Sequence, residues 1–409
     1  MKKVSDIIIV GGGQAAGQVL VSLKQKKFSG KITLIGKENL YPYQRPPLSK
    51  AYLKGEIETD RLFIKQPNFY DDIDIDFALN KEVVKVDTER KSVQTHDNEF
   101  HFKKLVLATG SRPRKIDIDG SDLGNIFYLR NIRDAENIKC AMQKSESLVI
   151  IGAGYIGLEV AATAIKYGLT VTVIEKEERV MNRVVSKDVS RFFQSEHEDK
   201  GVRFLFNQNI NYFSGENGNV AKIHLSSNET IQSDLVLVGV GGVPNIEIAD
   251  NTKIEIDNGI KVDSACRTNV EDIYAIGDCT NHWNNIYQRY IRLESVQNAI
   301  DQAKVVAENI SSGDLSYDSV PWFWSDQYDI KLQIAGVSQN FDEVIIRGNT
   351  LEKSFSCLYL KNRTLIAVDA INRPRDFIHS KNLIYHKTII DDDKNNIKEI
   401  DLKEYLHKS

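Results

Sequence analysis

The chain of 409 residues has no two cysteines close enough in sequence to form a redox or metal-binding pair. Its four are Cys140, Cys266, Cys279 and Cys357, and the nearest two lie thirteen positions apart, from 266 to 279. A CxxC dithiol, bound metal and a disulfide framework are disfavoured; the reading is reduced, mostly buried thiols in a cytoplasmic protein. Long apolar runs are missing too. The opening run Ile7-Ile8-Ile9-Val10 is too short to cross a bilayer and is followed by glycines rather than a small-residue cleavage site. It reads as a buried strand, and neither a secretory signal nor a membrane span is expected. Nor is there an excess of one charge: the formal net charge of -4 gives no overall attraction to nucleic acid or an anionic membrane. With only 8 prolines, 41% hydrophobic and 27% charged residues, the composition is that of a globular protein of two or three domains.

What is present is a pattern that occurs twice. Ile7-Ile8-Ile9-Val10 runs into Gly11-Gly12-Gly13-Gln14-Ala15-Ala16-Gly17, a helix-like stretch, and the strand Ile32-Thr33-Leu34-Ile35. Leu148-Val149-Ile150-Ile151 runs into Gly152-Ala153-Gly154-Tyr155-Ile156-Gly157, a helix from Leu158 to Tyr167, and the strand Thr170 to Glu175. Each is a strand–glycine turn–helix–strand unit, the βαβ pattern of a parallel sheet that binds a dinucleotide. Three further strands end at glycine: Leu105 to Gly110, Leu235 to Gly241, and Ile273 to Gly277. Beyond Gly313 the pattern changes to short runs such as Lys331–Ala335, Val344–Arg347, Phe355–Leu360 and Thr364–Val368, which predict a small antiparallel sheet with a terminal helix. The run Asp391-Asp392-Asp393 reads as a solvated loop.

The second turn is the cleaner. Gly152-x-Gly154-x-x-Gly157 permits a tight turn, close approach of a pyrophosphate and close helix–strand packing, with helix N–H groups facing the phosphate. Glu175, 23 residues after Gly152, places a carboxylate where a ribose bears its hydroxyls and repels a 2′-phosphate, which favours NADH over NADPH. Lys176 beside it weakens that preference. In the first turn, Gly11-x-Gly13-x-x-Ala16, alanine replaces the third glycine, and Gly36 stands where the acid belongs; Glu38 is the nearest substitute. Asp278 offers a carboxylate to a flavin's ribityl chain, against the plainer reading of a helix-capping acid.

The segment Pro42-Tyr43-Gln44-Arg45-Pro46-Pro47-Leu48-Ser49-Lys50-Ala51-Tyr52-Leu53 closely resembles the NADH-dependent ferredoxin reductases that serve bacterial dioxygenases and cytochrome monooxygenases, with the rubredoxin reductases as close relatives. Ala108-Thr109-Gly110-Ser111-Arg112-Pro113, Arg292 to Ala299, Val320 to Gln327 and Ala367 to Pro374 agree, so the resemblance spans essentially the whole chain. It implies an α/β, glutathione-reductase-like fold with two Rossmann-type domains and a C-terminal α+β interface domain. The FAD domain would be residues 1–115 and 248–315, the NAD domain 116–247 and the interface domain 316–409. It also implies roles. Lys50 sits beside the flavin near N5 and Arg45 near the ring and its phosphates. Glu159 pairs with Lys50 and contacts the nicotinamide amide, or is simply a helix-terminal acid favoured by the macrodipole. Glu294 is a second carboxylate near the nicotinamide. Trp324 shields the flavin edge and offers electrons a way out, or is a packed interdomain tryptophan. The same correspondence adds Val83, Ala108, Thr109, Gly110, Arg130, Ile156, Gly242 and Val296 as cofactor-binding positions, and no metal.

The implied chemistry is hydride transfer from NADH to FAD, then single electrons to a small ferredoxin or rubredoxin that feeds an oxygenase. The missing cysteine pair, absent from residues 39 to 60 where dithiol reductases carry it, supports this over disulfide reduction. An acidic carrier would dock on basic residues, for which Lys304, Arg289, Arg373 and Arg375 are candidates, each otherwise a solvated charge. The protein is expected to be a cytoplasmic monomer or homodimer. Two rivals are a monodehydroascorbate-reductase-like enzyme, which shares the Arg-Pro-x-Leu-Ser-Lys block, and a flavoprotein like apoptosis-inducing factor, whose NADH complex governs assembly.

Overall fold

The structure, a computed structural model, describes residues 4–390, 397–398 and 400–407. The Asp391–Asp393 run lies outside the described residues. The chain forms two compact units of three segments each: Met1–Arg45, Thr59–Arg112 and Val243–Pro321 in the first, Pro46–Glu58, Pro113–Gly242 and Trp322–Ser409 in the second.

The first unit is built on a sheet whose described strands number seven. Its order is Ile75–Ala78, Ile32–Ile35, Val4–Val10, Glu99–Leu107, Ser92–Thr95 and Val83–Asp87, with Ile273–Ala275 paired in parallel to Glu99–Leu107. The opening apolar run is its central strand, because a parallel strand is covered on both faces and so reads as continuously hydrophobic. Ile7 and Ile9 face a core with Val19, Leu20 and Leu23 of the helix Gln14–Gln25 and Ala303 and Val306 of the helix Val296–Ser311. Ile8 and Val10 face the opposite core, with Val93, Leu105, Ile254 and Ile260. This alternation is the two-residue period of a strand.

The second unit holds a five-stranded parallel sheet in the order Arg203–Leu205, Thr170–Ile174, Ser147–Ile151, Leu235–Val238 and Ile126–Phe127. The helix Tyr155–Lys166 follows its glycine turn, beginning three residues before the predicted Leu158 because the N-terminal turn of the helix is already wound at Tyr155. A three-stranded antiparallel sheet, Ile210–Glu216, Asn219–Leu225 and Thr230–Gln232, packs Phe213, Ile223 and Leu225 onto Val149, Ile151 and Val236. The C-terminal part of the unit is an antiparallel sheet in the order Trp322–Gln327, Ile330–Gly336, Thr364–Ile371, Ser354–Lys361 and Glu343–Asn349, followed by the helix Pro374–Tyr385. No helix among the described residues is long and apolar enough to cross a membrane.

Candidate dinucleotide sites and a buried lysine–glutamate centre

The two glycine turns share one hydrogen-bond plan. The Gly11 N–H donates to Ile35 O at 2.9 Å and Ala108 N–H to Val10 O at 2.8 Å; the Gly152 N–H donates to Ile174 O at 2.8 Å and Gly239 N–H to Ile151 O at 2.7 Å. Gly11 and Gly152 have φ of +127° and +100°. A Cβ at Gly11 would stand 2.1 Å from Ala108 O, and one at Gly152 2.5 Å from Gly239 O, so sterics and conformation both demand glycine. The turns differ at the third position. A Cβ at Gly157 would meet Gly152 O at 2.3 Å, whereas Ala16 is accommodated, fully buried. Around Gly154 nothing lies within 4 Å of an added Cβ, which leaves the helix N-terminus open to a phosphate.

At the strand end of the second turn, the Glu175 carboxylate accepts the backbone N–H of Ala153 at 2.7 Å and of Glu177 at 3.0 Å. It is held at the rim of the turn, where a ribose would lie, while Lys176 is exposed and 3.7 Å from Glu177. Ile156 is half exposed at the mouth of the turn, Gly242 opens a short strand, and Arg130 precedes the helix Ile132–Met142.

In the first unit, Glu38 accepts Arg45 Nη2 at 2.6 Å and the Tyr43 hydroxyl at 2.5 Å. Arg45 also lies beside the turn: a Cβ at Gly13 would be 3.9 Å from its Nε. Burial works to lower the Arg45 pKa, but Tyr43, Glu38 and Asp278 outweigh it and hold the guanidinium above its ordinary value. Asp278 accepts the Ser111 hydroxyl at 2.9 Å. Thr109 and Gly110 follow Ala108 at the end of the strand Glu99–Leu107, and the Thr109 hydroxyl donates to Asn245 O at 2.6 Å. Val83 starts an outer strand, Val296 is the first residue of its helix, and exposed Glu294 is paired with Arg292. A glycine-lined helix N-terminus with a guanidinium beside it fits a dinucleotide pyrophosphate in the first unit, and the open turn at Gly154 fits one in the second.

The second unit also gathers the segment Pro46–Glu58 around Glu159. Lys50 Nζ donates to Glu159 Oε2 at 2.6 Å, Ser49 Oγ to the same oxygen at 2.6 Å, and Ser325 Oγ to Oε1 at 2.6 Å. The side chains of Lys50 and Glu159 are only 16% and 4% exposed, so this is a buried pair whose acceptor oxygens are satisfied by added hydroxyls. One turn along the helix, Thr163 Oγ1 donates to Ser49 O at 3.1 Å, and Tyr167 donates to Leu53 O at 2.9 Å, fastening the segment. Sequence reasoning missed Ser49 and Ser325. Trp324, the neighbour of Ser325 on the strand, points to the other face, with its ring 5.6 Å from Trp322. Among the expected docking residues, Lys304 is exposed and 3.8 Å from Asp301, Arg375 is exposed, and Arg373 is occupied by Asp376 at 2.8 Å.

Residues 5–303 match the model of the pyridine nucleotide-disulphide oxidoreductase family, and residues 322–406 match the reductase C-terminal model. The chain belongs to the pyridine nucleotide-disulphide oxidoreductase family. It is 41% identical to rhodocoxin reductase of Rhodococcus erythropolis, over 92% of this chain and 89% of that one. The ferredoxin reductase for the CYP199A2 system from Rhodopseudomonas palustris superposes with a TM-score of 0.94 at 38% identity, covering 98% of this chain and 99% of that one. The reductase in the covalent putidaredoxin reductase–putidaredoxin complex gives a TM-score of 0.94 at 34% identity, with 99% and 98% covered. The fold is thus the glutathione-reductase-like α/β fold read from the sequence, and the chain is an oxidoreductase whose cofactors are FAD and NADH. The family's name refers to disulphide chemistry, yet all four cysteines are free thiols, and burial pushes those of Cys266, Cys279 and Cys357 up, away from the reactive thiolate.

Proposed function

We propose that this protein is a cytoplasmic reductase that takes hydride from NADH and delivers single electrons to a small iron–sulfur ferredoxin, or a rubredoxin, that feeds an oxygenase. The observation that carries the reading is the Lys50–Glu159 pair, standing in a chain without a dithiol in that segment. FAD, when bound, supplies the conversion between a two-electron hydride and one-electron delivery.

The chain's own residues bind, orient and neutralise. Residues 1–115 and 248–315 form the FAD domain, 116–247 the NAD domain, and 316–409 the C-terminal domain. Backbone N–H groups of the turn Gly11–Ala16, with Arg45, hold the FAD pyrophosphate, and Asp278 and Glu38 take hydroxyl groups of the same cofactor. Gly152, Gly154 and Gly157 hold the NADH pyrophosphate and Glu175 its ribose; Ala108, Thr109, Gly110, Val83, Val296, Arg130, Ile156 and Gly242 complete the two walls. The Lys50 ammonium stabilises negative charge near the reducible ring, Glu159 contacts the nicotinamide amide, Glu294 is a second carboxylate near the nicotinamide, and Trp324 screens the ring edge from water. A carrier with an acidic face docks on exposed basic side chains, Lys304 and Arg375 among them. The protein acts as a monomer or homodimer.

Stopped-flow reduction of the purified protein by NADH and by NADPH, followed by mixing with ferredoxins and a rubredoxin, tests this. The expected results are fast bleaching of the flavin band by NADH and reoxidation by one class of carrier. Reoxidation by none of them, or a preparation without a flavin band, refutes the proposal.

A further inference from the structure

Glu159 is also the end of a hydrogen-bonded chain leading away from Lys50. Ser325 Oγ donates to Glu159 Oε1 at 2.6 Å, and Gln327 Nε2 donates to Ser325 Oγ at 3.2 Å. Gln327 Oε1 is 2.9 Å from His197 Nε2, and His197 Nδ1 is 3.0 Å from the Tyr328 hydroxyl. Ser325 and Gln327, two residues apart on one strand, project from the same face, while His197 comes from the helix Lys187–Glu198. Ser325, Gln327 and His197 are fully buried.

The direction of every bond follows from the first. A carboxylate only accepts, so Ser325 gives its proton to Glu159 and accepts from the Gln327 amide nitrogen. The Gln327 carbonyl then accepts, which requires the proton of neutral His197 on Nε2. Nδ1 must therefore accept from Tyr328. Burial keeps His197 neutral, with its pKa lowered to about 4. All four donors point toward Glu159, and a fully satisfied chain of this kind holds its terminus more rigidly than packing against apolar side chains.

We propose that Ser325, Gln327 and His197 are positioning residues that fix the Glu159 carboxylate, and through it the Lys50 ammonium, for NADH. This rests on the nicotinamide-side role given to Glu159 above. None of the three touches the reacting atoms.

The test uses the FAD-loaded full chain and the variants Glu159→Gln, Ser325→Ala, Ser325→Thr and Gln327→Met. Stopped-flow flavin reduction gives the NADH dissociation constant and limiting rate, and nitrogen-15 NMR of the imidazole gives the His197 tautomer. Expected are a proton on Nε2 and NADH binding weakened about tenfold in Ser325→Ala. Gln327→Met should be weakened less, and Ser325→Thr, which keeps the hydroxyl, should recover most of the affinity. A proton on Nδ1 overturns the proposal, as does wild-type NADH affinity in Ser325→Ala and Gln327→Met when Glu159→Gln is impaired. Wild-type behaviour of Glu159→Gln removes the role of Glu159 itself, and the proposal with it. Should Ser325→Ala fail to retain FAD, Gln327→Met and the tautomer decide.

Discussion

His282 ties the stability of this reductase to acid pH. The side chain is fully buried in the first unit, its ring centroid 4.9 Å from that of Tyr317, and neither ring nitrogen has a hydrogen-bond partner among the described residues. Burial lowers its pKa from 6.5 to about 4. Because the folded value lies below the unfolded one, the unfolded chain binds more protons between those limits. The stability is complete above pH ~6.5 and is lost as pH falls toward ~4. At pH 5 the loss from this one group is about 2 kcal/mol relative to pH 8. His197, lowered to about 4 by burial as well, adds a similar amount. His282→Phe removes one titrating group and two unsatisfied polar atoms while keeping a flat ring. Urea denaturation of the FAD-loaded protein at pH 8 and pH 5 should show wild type losing about 2 kcal/mol more than the variant; every other titrating group, Asp369 with its carboxyl pushed up to about 7 by burial included, contributes equally to both proteins and cancels. Any steric effect of the larger ring is common to both pH values and cancels. An equal loss in wild type and variant would show that His282 is protonated in the fold or already paired, and the reasoning would be refuted.

Three further outcomes are expected. Gly152→Ala should abolish flavin reduction by NADH while leaving the flavin spectrum intact, since the added Cβ would stand 2.5 Å from Gly239 O within the second turn; absorbance and stopped-flow reduction read the two separately. Glu175→Gln should raise the NADPH-to-NADH ratio of kcat/KM by about tenfold, equivalent to about 1.4 kcal/mol, by removing charge repulsion on a 2′-phosphate; an unchanged ratio would place the ribose elsewhere. Lys304→Glu should slow carrier reduction and steepen its response to salt while NADH-to-ferricyanide turnover is unchanged; equal loss of both activities removes Lys304 from the docking face.

The strands, both glycine turns and the C-terminal antiparallel sheet were legible because each rests on local periodicity or on a turn that only glycine permits. Ala16 and Gly36, the two departures in the first turn, were visible as well. The surroundings of Glu159 were not. Ser49 and Ser325 lie 110 and 166 residues from it in sequence, and a serine hydroxyl carries no periodic signal. In the Trp322–Gln327 strand the tryptophans draw the eye, although the alternate residues Ser325 and Gln327 carry the polar contacts. The Arg45–Glu38 pair could have been found, since the two lie seven positions apart within one short irregular connection. Occupation of Arg373 by Asp376 was also readable, as an i,i+3 pair at the start of a helix.

The interleaving of the two units bears on how the chain reaches its native state. The strand Ile273–Ala275 and the helix Val296–Ser311 belong to the first unit, beside strands from the first hundred residues. On the ribosome, the N-terminal apolar strand therefore waits for some three hundred residues to be synthesised before its sheet and helical layer are complete. The edge at Leu105–Leu107 waits about 170 residues for Ile273–Ala275, at about 5–20 residues per second a delay on the order of ten seconds or more during which it is unpaired. The second unit needs Pro46–Glu58 from the early chain and Trp322–Ser409 from its end. Neither unit can be excised as one continuous stretch, and because their segments alternate along the chain no single truncation or circular permutation makes either contiguous; studying one alone requires splicing its three segments.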